Sequence, residues 1–324
     1  MKTAFLFPGQ GAQEIGMGAD IARSFEKAAV IFKKANEILG FDLSGICFEG
    51  PAEELNSTAI SQPAIFTMST AILEVLRTEL PSGSLQPDVT AGLSLGEYTA
   101  LYAAGVFSFE DALVLVNKRG QAMQAAADAN GGAMVSIIGL DEEKVHQLCE
   151  EVIASEEEDE DEEEDGVRLL KPVNFNCPGQ IVISGTKEAC KQAKELAVKY
   201  GAIKAVRLDV AGAFHTEMMS SAADALSQAL SNCAIAEPSR TKIIANINAE
   251  YYKSGEKIAQ GLIKQLTSPI LWQKCMERLL ADGVEEFYEI GPGRVLTSLM
   301  KRISRKTKVN NISSAQSLRE IIKR

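Results

Sequence analysis

The chain reads as an α/β protein, a mostly parallel sheet covered by helices on both faces with a smaller unit inserted into it. Three observations predict this. In the first and last thirds, short apolar runs of strand length alternate with longer stretches of helical period, the signature of βα units. The middle third orders its segments as β-α-β-β-α-β, the split βαβ or ferredoxin-like pattern. The chain has 324 residues, 46% hydrophobic and 24% charged, enough for two domains or one large domain plus an insert, with a core that needs no disulfide or metal staple.

The elements follow in order. Residues 3–7 are an apolar strand stopped by Pro8-Gly9-Gln10-Gly11. Residues 17–39 have helical period, and Gly40 is a natural stop. A second helix is expected over 60–80, with Pro63 in its first turn, where the missing N–H is tolerated. A strand at 88–93 leads into a helix at 95–104. Ser108, with Asp111 three residues on, opens a helix that ends at Asn130-Gly131-Gly132. The insert then runs as strand 133–138, helix 141–153, strands 169–175 and 180–184, helix 187–200 and strand 203–207. The last third is read as helix 216–230, strand 242–247, helix 256–266, a helix from about 270, strand 285–290 ending in Gly291-Pro292-Gly293, and a basic helix from about 295. The expected division is a larger unit of 1–130 and 208–324, and a small unit of 131–207 carrying an acidic loop at 155–166.

The net charge of −11 is concentrated in one place, since residues 156–165 are ten consecutive acidic side chains and the remainder is close to neutral. Such a run reads as a solvated loop, with partner binding as the alternative. No basic stripe or reader motif points to nucleic acid. No apolar run of membrane-spanning length stands out, so no membrane partner is expected. The six cysteines show no metal-ligand spacing and fit reduced thiols, so no metal is expected. Only two histidines exist, His146 and His215.

The sharpest chemical signal is Gly92-Leu93-Ser94-Leu95-Gly96, a G-x-S-x-G elbow between an expected strand and helix. A tight strand-to-helix turn crowds the serine backbone, so its flanks must lack Cβ atoms. The turn lifts Oγ above the sheet and aims the Leu95 N–H and the helix N-terminus at the same point. A nucleophilic serine needs a base. His146 lies on a charged helix of the insert; His215, at the junction Ala211-Gly212-Ala213-Phe214-His215, is the credible partner.

These residues sit in a longer pattern. FPGQGAQEIGMG, GLSLGEYTAL, NKRGQAMQ, NFNCPGQIVISG, AGAFHT, QLTSPILW and a late GPG occur in that order along essentially the whole chain. The sequence thereby resembles the malonyl-CoA:acyl-carrier-protein transacylases. The resemblance implies an α/β-hydrolase-like core with an inserted ferredoxin-like subdomain. It implies malonyl transfer from coenzyme A to the phosphopantetheine thiol of an acyl carrier protein, in fatty-acid synthesis, through a ping-pong malonyl-serine ester. Ser94 would be the nucleophile and His215 the base and then the acid. The backbone amides of Gln10 and Leu95 would form the oxyanion hole. Arg119, which from sequence alone also reads as a surface charge on an amphipathic helix, would grip the free malonyl carboxylate.

No triad acid is evident near His215. The resemblance implies that the main-chain carbonyl of Gln265 orients the imidazole; Gln265 closes a helix halted by Ser268-Pro269, where carbonyls lack intrahelical partners. Asn176 would lie near the cleft, and Phe214 would fill the space that an α-methyl group needs. No bound cofactor is implied, and a monomer is expected. The cluster Lys301, Arg302, Arg305, Lys306 and Lys308, in an expected helix and its exit, is a candidate docking patch for the acidic carrier, or a solvated face.

Two features depart from the pattern. Bacterial members commonly carry His where this chain has Leu93, and the acidic run is foreign to the core pattern. Plant-like motifs suggest a mature plastid-stroma enzyme, with bacterial-type cytosol as the alternative. The remaining alternatives are a polyketide-type acyltransferase, a plain serine hydrolase, or an inactive carrier-binding relative.

Overall fold

The computed structural model describes residues 1–81, 84–158 and 169–323. A five-stranded parallel sheet forms the centre, in the order β7-β2-β1-β8-β9, from β1 Lys2–Phe7, β2 Val89–Gly92, β7 Lys242–Ile243, β8 Val284–Ile290 and β9 Val309–Ile312. Strand β1 shows why both faces are covered. Phe5 and Phe7 pack into one apolar cluster with α2 (Glu26–Leu39), α5 (Thr58–Glu79) and α7 (Phe109–Asn130). Ala4 and Leu6 point the other way, against Trp272 and Met276 of α12 (Trp272–Ala281) and Leu296 of α13 (Val295–Ile303). A parallel sheet buried on both faces has no use for polar alternation, hence the unbroken apolar run.

The inserted unit forms its own antiparallel sheet, β4-β5-β3-β6, from β3 Ala133–Ile138, β4 Leu170–Cys177, β5 Gln180–Gly185 and β6 Lys204–Arg207. With α8 (Glu142–Glu158) and α9 (Lys187–Lys199) it is the ferredoxin-like arrangement that its segment order predicts. It is tied to the larger unit at β4, where the Phe175 N–H donates to the Ile270 carbonyl (2.9 Å) and the Ile270 N–H to the Val173 carbonyl (2.7 Å).

Several expectations need correction. The helix expected over 17–39 breaks at Phe25, whose extended backbone (φ −134°, ψ 115°) separates α1 (Ala19–Ser24) from α2. Two short helices went unread, α3 (Leu43–Glu49), capped by Asp42, and α4 (Ala52–Asn56). The strand expected at 242–247 lasts two residues, because the chain turns to deliver Asn246 to the elbow after β2. Strand β9 and helix α14 (Ala315–Ile322), also unread, complete the sheet edge. The helix expected at 141–153 continues as α8 into the first acidic residues; most of the expected acidic loop lies outside the described residues. Finally, α5 is long and apolar enough to cross a membrane, contrary to the first reading, but most of it is buried as a core helix against α2 and α7.

Candidate active site

The elbow joins β2 to α6 (Gly96–Ala103), and Ser94 adopts φ 52°, a left-handed conformation strained for a residue with a Cβ. Its neighbours make the strain sustainable. A Cβ on Gly92 would lie 1.8 Å from the Gly96 carbonyl carbon, and one on Gly96 would lie 2.1 Å from the Phe7 oxygen. Backbone therefore packs directly on backbone, and no other residue type fits. Asn246 straps the turn from the β7 side: its Oδ1 accepts the Ser94 N–H (2.7 Å) and its Nδ2 donates to the Gly92 carbonyl (2.8 Å).

His215 Nε2 lies 3.0 Å from Ser94 Oγ, and His215 Nδ1 lies 2.8 Å from the Gln265 carbonyl oxygen. A carbonyl only accepts, so Nδ1 carries the proton and Nε2 is left bare to accept from the serine hydroxyl. Gln265 is the last residue of α11 (Gly255–Gln265), and the following Leu266 N–H turns back to Ile263, which leaves the Gln265 carbonyl free for the imidazole. Burial, and then the positive Arg119, push the His215 pKa down to about 4, against the pull of the Gln265 bond. The ring is therefore neutral near pH 7 and able to accept a proton at Nε2. Glu217 is no triad acid: it is exposed and pairs with Lys171. His146 is exposed on α8, stacked on Phe175.

Arg119 is not a surface charge. It is 1% exposed, and α7 directs it at the serine. Its Nη2 donates to Ser94 Oγ (3.0 Å) and Gln265 Oε1 (3.1 Å), its Nη1 donates to Gln62 Oε1 (2.6 Å), and the guanidinium lies over the Tyr98 ring. Among the described residues no carboxylate pairs with it directly. A buried cation held only by neutral groups is costly to desolvate and is poised to take an anion.

Four polar residues of this site went unremarked in the sequence. Gln62, Asn246 and Glu97 are fully buried, and Tyr252 donates its hydroxyl to Glu97 Oε1 (2.6 Å). The signal for Glu97 was present: it is the sole charged residue between 89 and 107.

Ser94, His215 and Arg119 open on a cleft of about 480 Å³ between the two sheets. Gln10, Asn176 and Phe214 line it, with Leu93 beside them. The Gln10 side chain donates to Thr58 Oγ1 (3.2 Å). The backbone N–H groups of Gln10 and Leu95 meet no acceptor among the described residues. The Leu95 side chain is buried in the core, so only its main chain is available to the site. Gly9 lets the Gln10 loop approach, since a Cβ there would sit 2.2 Å from the Leu93 oxygen. Asn176 Oδ1 is buried without a partner among the described residues. Of the basic cluster, Arg302 is committed internally: its guanidinium donates to Gln180 Oε1 (2.8 Å) and the Pro178 carbonyl (3.0 Å).

Comparison with known proteins places the chain in a family. The acyl transferase domain family matches residues 4–323. The malonyl CoA-acyl carrier protein transacylase of Bacillus subtilis is 42% identical over 317 residues, covering 98% of this chain and 95% of that protein. The Escherichia coli K12 protein of the same name is 41% identical over 302 residues, 93% of each. An acyl carrier protein S-malonyltransferase from Vibrio cholerae superposes with a TM-score of 0.89 at 40% identity, covering 99% of this chain and 100% of that one. A malonyl-transacylase solved in complex with its type II PKS acyl-carrier protein gives 0.91 at 38% identity, covering 100% and 99%. The chain therefore belongs to the acyl transferase family, among the malonyl CoA-acyl carrier protein transacylases.

Proposed function

We propose that this enzyme transfers the malonyl group from malonyl-CoA to the phosphopantetheine thiol of an acyl carrier protein, with Ser94 as nucleophile. His215 Nε2 takes the Ser94 hydroxyl proton as Oγ attacks the thioester carbonyl carbon. The oxyanion of the tetrahedral intermediate accepts the Gln10 and Leu95 N–H groups; losing one such donor typically lowers the rate about 10²–10³-fold. The carbon–sulfur bond breaks, and His215 Nε2–H protonates the departing thiolate. The carrier thiol then attacks the malonyl-Ser94 ester, His215 accepts its proton, and Ser94 Oγ recovers that proton as it leaves.

The observation that carries this reading is Arg119, a buried cation without a carboxylate partner among the described residues, 3.0 Å from the nucleophilic oxygen. The free carboxylate of a malonyl group fits it, through two parallel charge-assisted bonds. An esterase for neutral acyl groups has no use for it. Names of relatives support fatty-acid synthesis as the setting; the neighbour bound to a PKS carrier keeps a polyketide carrier as the second reading.

The test is intact-mass analysis after incubation with malonyl-CoA or acetyl-CoA, without carrier. The expected result is one malonyl adduct, absent in Ser94→Ala and strongly reduced in Arg119→Met, with little acetyl adduct. Equal labelling by both thioesters in the unaltered enzyme would refute the carboxylate clamp. Labelling that survives Ser94→Ala would refute the nucleophile.

A further inference from the structure

We propose that Glu97 is a positioning residue for acyl selectivity: it fixes the side-chain amide of Gln265 so that Oε1 faces Arg119, and so aims the guanidinium at the substrate carboxylate. This rests on the reading that Arg119 receives that carboxylate.

Gln265 has two separable jobs. Its main-chain carbonyl holds His215. Its side chain sits between unlike groups, with Oε1 accepting from Arg119 Nη2 (3.1 Å) and Nε2 donating to the Ser94 carbonyl (3.1 Å) and to Glu97 Oε2 (2.7 Å). The oxygen and nitrogen ends of an amide have nearly the same shape, so only the neighbours decide which end faces which way. A flipped Gln265 would set its NH₂ against the guanidinium, donor against donor.

Glu97 opposes that flip together with the Ser94 carbonyl, and makes the shorter of the two bonds to Nε2. It lies in the first turn of α6, three residues past Ser94, and is fully buried. Its Oε2 is flanked by two N–H donors, Gln265 Nε2 and the Asn246 main chain (3.2 Å), so this oxygen can only accept. Its Oε1 is held by the Tyr252 hydroxyl. The carboxylate is therefore clamped on both oxygens and cannot rotate to follow a flipped amide. A Cβ on Gly261 would lie 2.3 Å from the Tyr252 oxygen, so Tyr252 is itself held closely against α11. Through Asn246, which straps Ser94, and through Gln265, the same carboxylate reaches both sides of the serine.

The test compares Ser94 acylation by malonyl-CoA and acetyl-CoA, by rapid quench and intact mass, in the unaltered enzyme, Glu97→Gln and Glu97→Asp. Circular dichroism and thermal melting check the fold. Glu97→Gln keeps the shape but replaces a charged acceptor with a neutral amide, so Gln265 Nε2 loses its charge-assisted bond and its orientation rests on the Ser94 carbonyl and Arg119 alone. Malonyl selectivity, the ratio of the two kcat/KM values, should fall roughly 10- to 100-fold, the range for misdirecting one charge-assisted hydrogen bond. The loss should appear mainly in malonyl-CoA KM, and Glu97→Asp should restore part of it. Gln265→Met, which keeps the main-chain carbonyl and removes the amide, should lose selectivity in the same way, and it tests the same link if Glu97→Gln does not fold.

Unchanged selectivity in Glu97→Gln, or equal losses with both thioesters, would overturn the proposal, the second marking a merely structural carboxylate. If Arg119→Met also keeps the malonyl preference, the carboxylate clamp itself fails. If Arg119→Met loses the preference while Glu97→Gln keeps it, only the role of Glu97 fails.

Discussion

Binding of a malonyl group should raise the pKa of His215, and binding of an acetyl group should not. In the free site, burial and the positive Arg119 hold that pKa down from 6.5 to about 4. One pKa unit equals about 1.4 kcal/mol, so the imidazolium is disfavoured by about 3 kcal/mol. That bias opposes catalysis, because the imidazolium must form as Ser94 attacks. Arg119 Nη2 and His215 Nε2 each lie 3.0 Å from Ser94 Oγ, so they stand at most about 6 Å apart, and at an effective dielectric of about 20 their charges repel by about 3 kcal/mol. Burial is the larger cause of the shift, so a carboxylate on Arg119 can cancel only part of it. The perturbation is to saturate Ser94→Ala enzyme with malonyl-CoA or with acetyl-CoA. The assay is ¹⁵N NMR titration of the imidazoles; the chain has two histidines, and His146→Gln removes the other signal. His215 should titrate near 4 in the free protein, higher with malonyl-CoA, and unchanged with acetyl-CoA. The neutral form is the base, so kcat/KM for acylation should fall only as pH drops through the region of 4. A free-protein midpoint at its ordinary 6.5 would refute the neutral base, and equal shifts with both thioesters would refute coupling through Arg119.

Two further outcomes are expected. Gly92→Ala places a methyl 1.8 Å from the Gly96 carbonyl carbon, with only backbone to yield; denaturant unfolding should show a loss of about 3 kcal/mol or more, and wild-type stability would mean the turn is not packed as described. Reversing the free basic charges, Lys301, Arg305, Lys306 and Lys308, to Glu should raise the carrier KM and flatten its salt dependence while malonyl-CoA KM holds. A carrier KM unmoved by that variant would remove the docking patch.

The elements that position the site were legible because they follow from local pattern. An apolar strand, a glycine-flanked serine and a capped helix each declare themselves within ten residues, and so did the β-α-β-β-α-β order of the insert. What stayed hidden is long-range. The strand after residue 242 ends early because Asn246 is needed at the elbow, a demand set by Ser94, distant in sequence. Arg119 lies on a helix whose pattern alone allows a solvated charge; it is buried because Gln62, Gln265 and Ser94 converge on it from three other segments. Arg302 reads as part of a basic surface, yet its bonds go to the β4–β5 turn.

That no acidic side chain meets His215 among the described residues has a physical reason in this arrangement. A carboxylate on Nδ1 would raise the imidazole pKa, which helps the base form its cation. It would also bring a negative charge into the space where Arg119 stands within about 6 Å of the ring, close enough for strong attraction in a dry site. The guanidinium would then be neutralised before substrate arrives, and the group proposed to receive the malonyl carboxylate would be engaged. A main-chain carbonyl orients the ring through a dipole and leaves Arg119 unpaired. The buried carboxyl group of Glu97 is kept on the far side of Gln265, held by Tyr252 and Asn246. On the proposed mechanism, neutral support for His215 and an unpaired cation beside it therefore act together: the substrate's own carboxylate would supply the missing charge and, by cancelling Arg119, ease the protonation of His215.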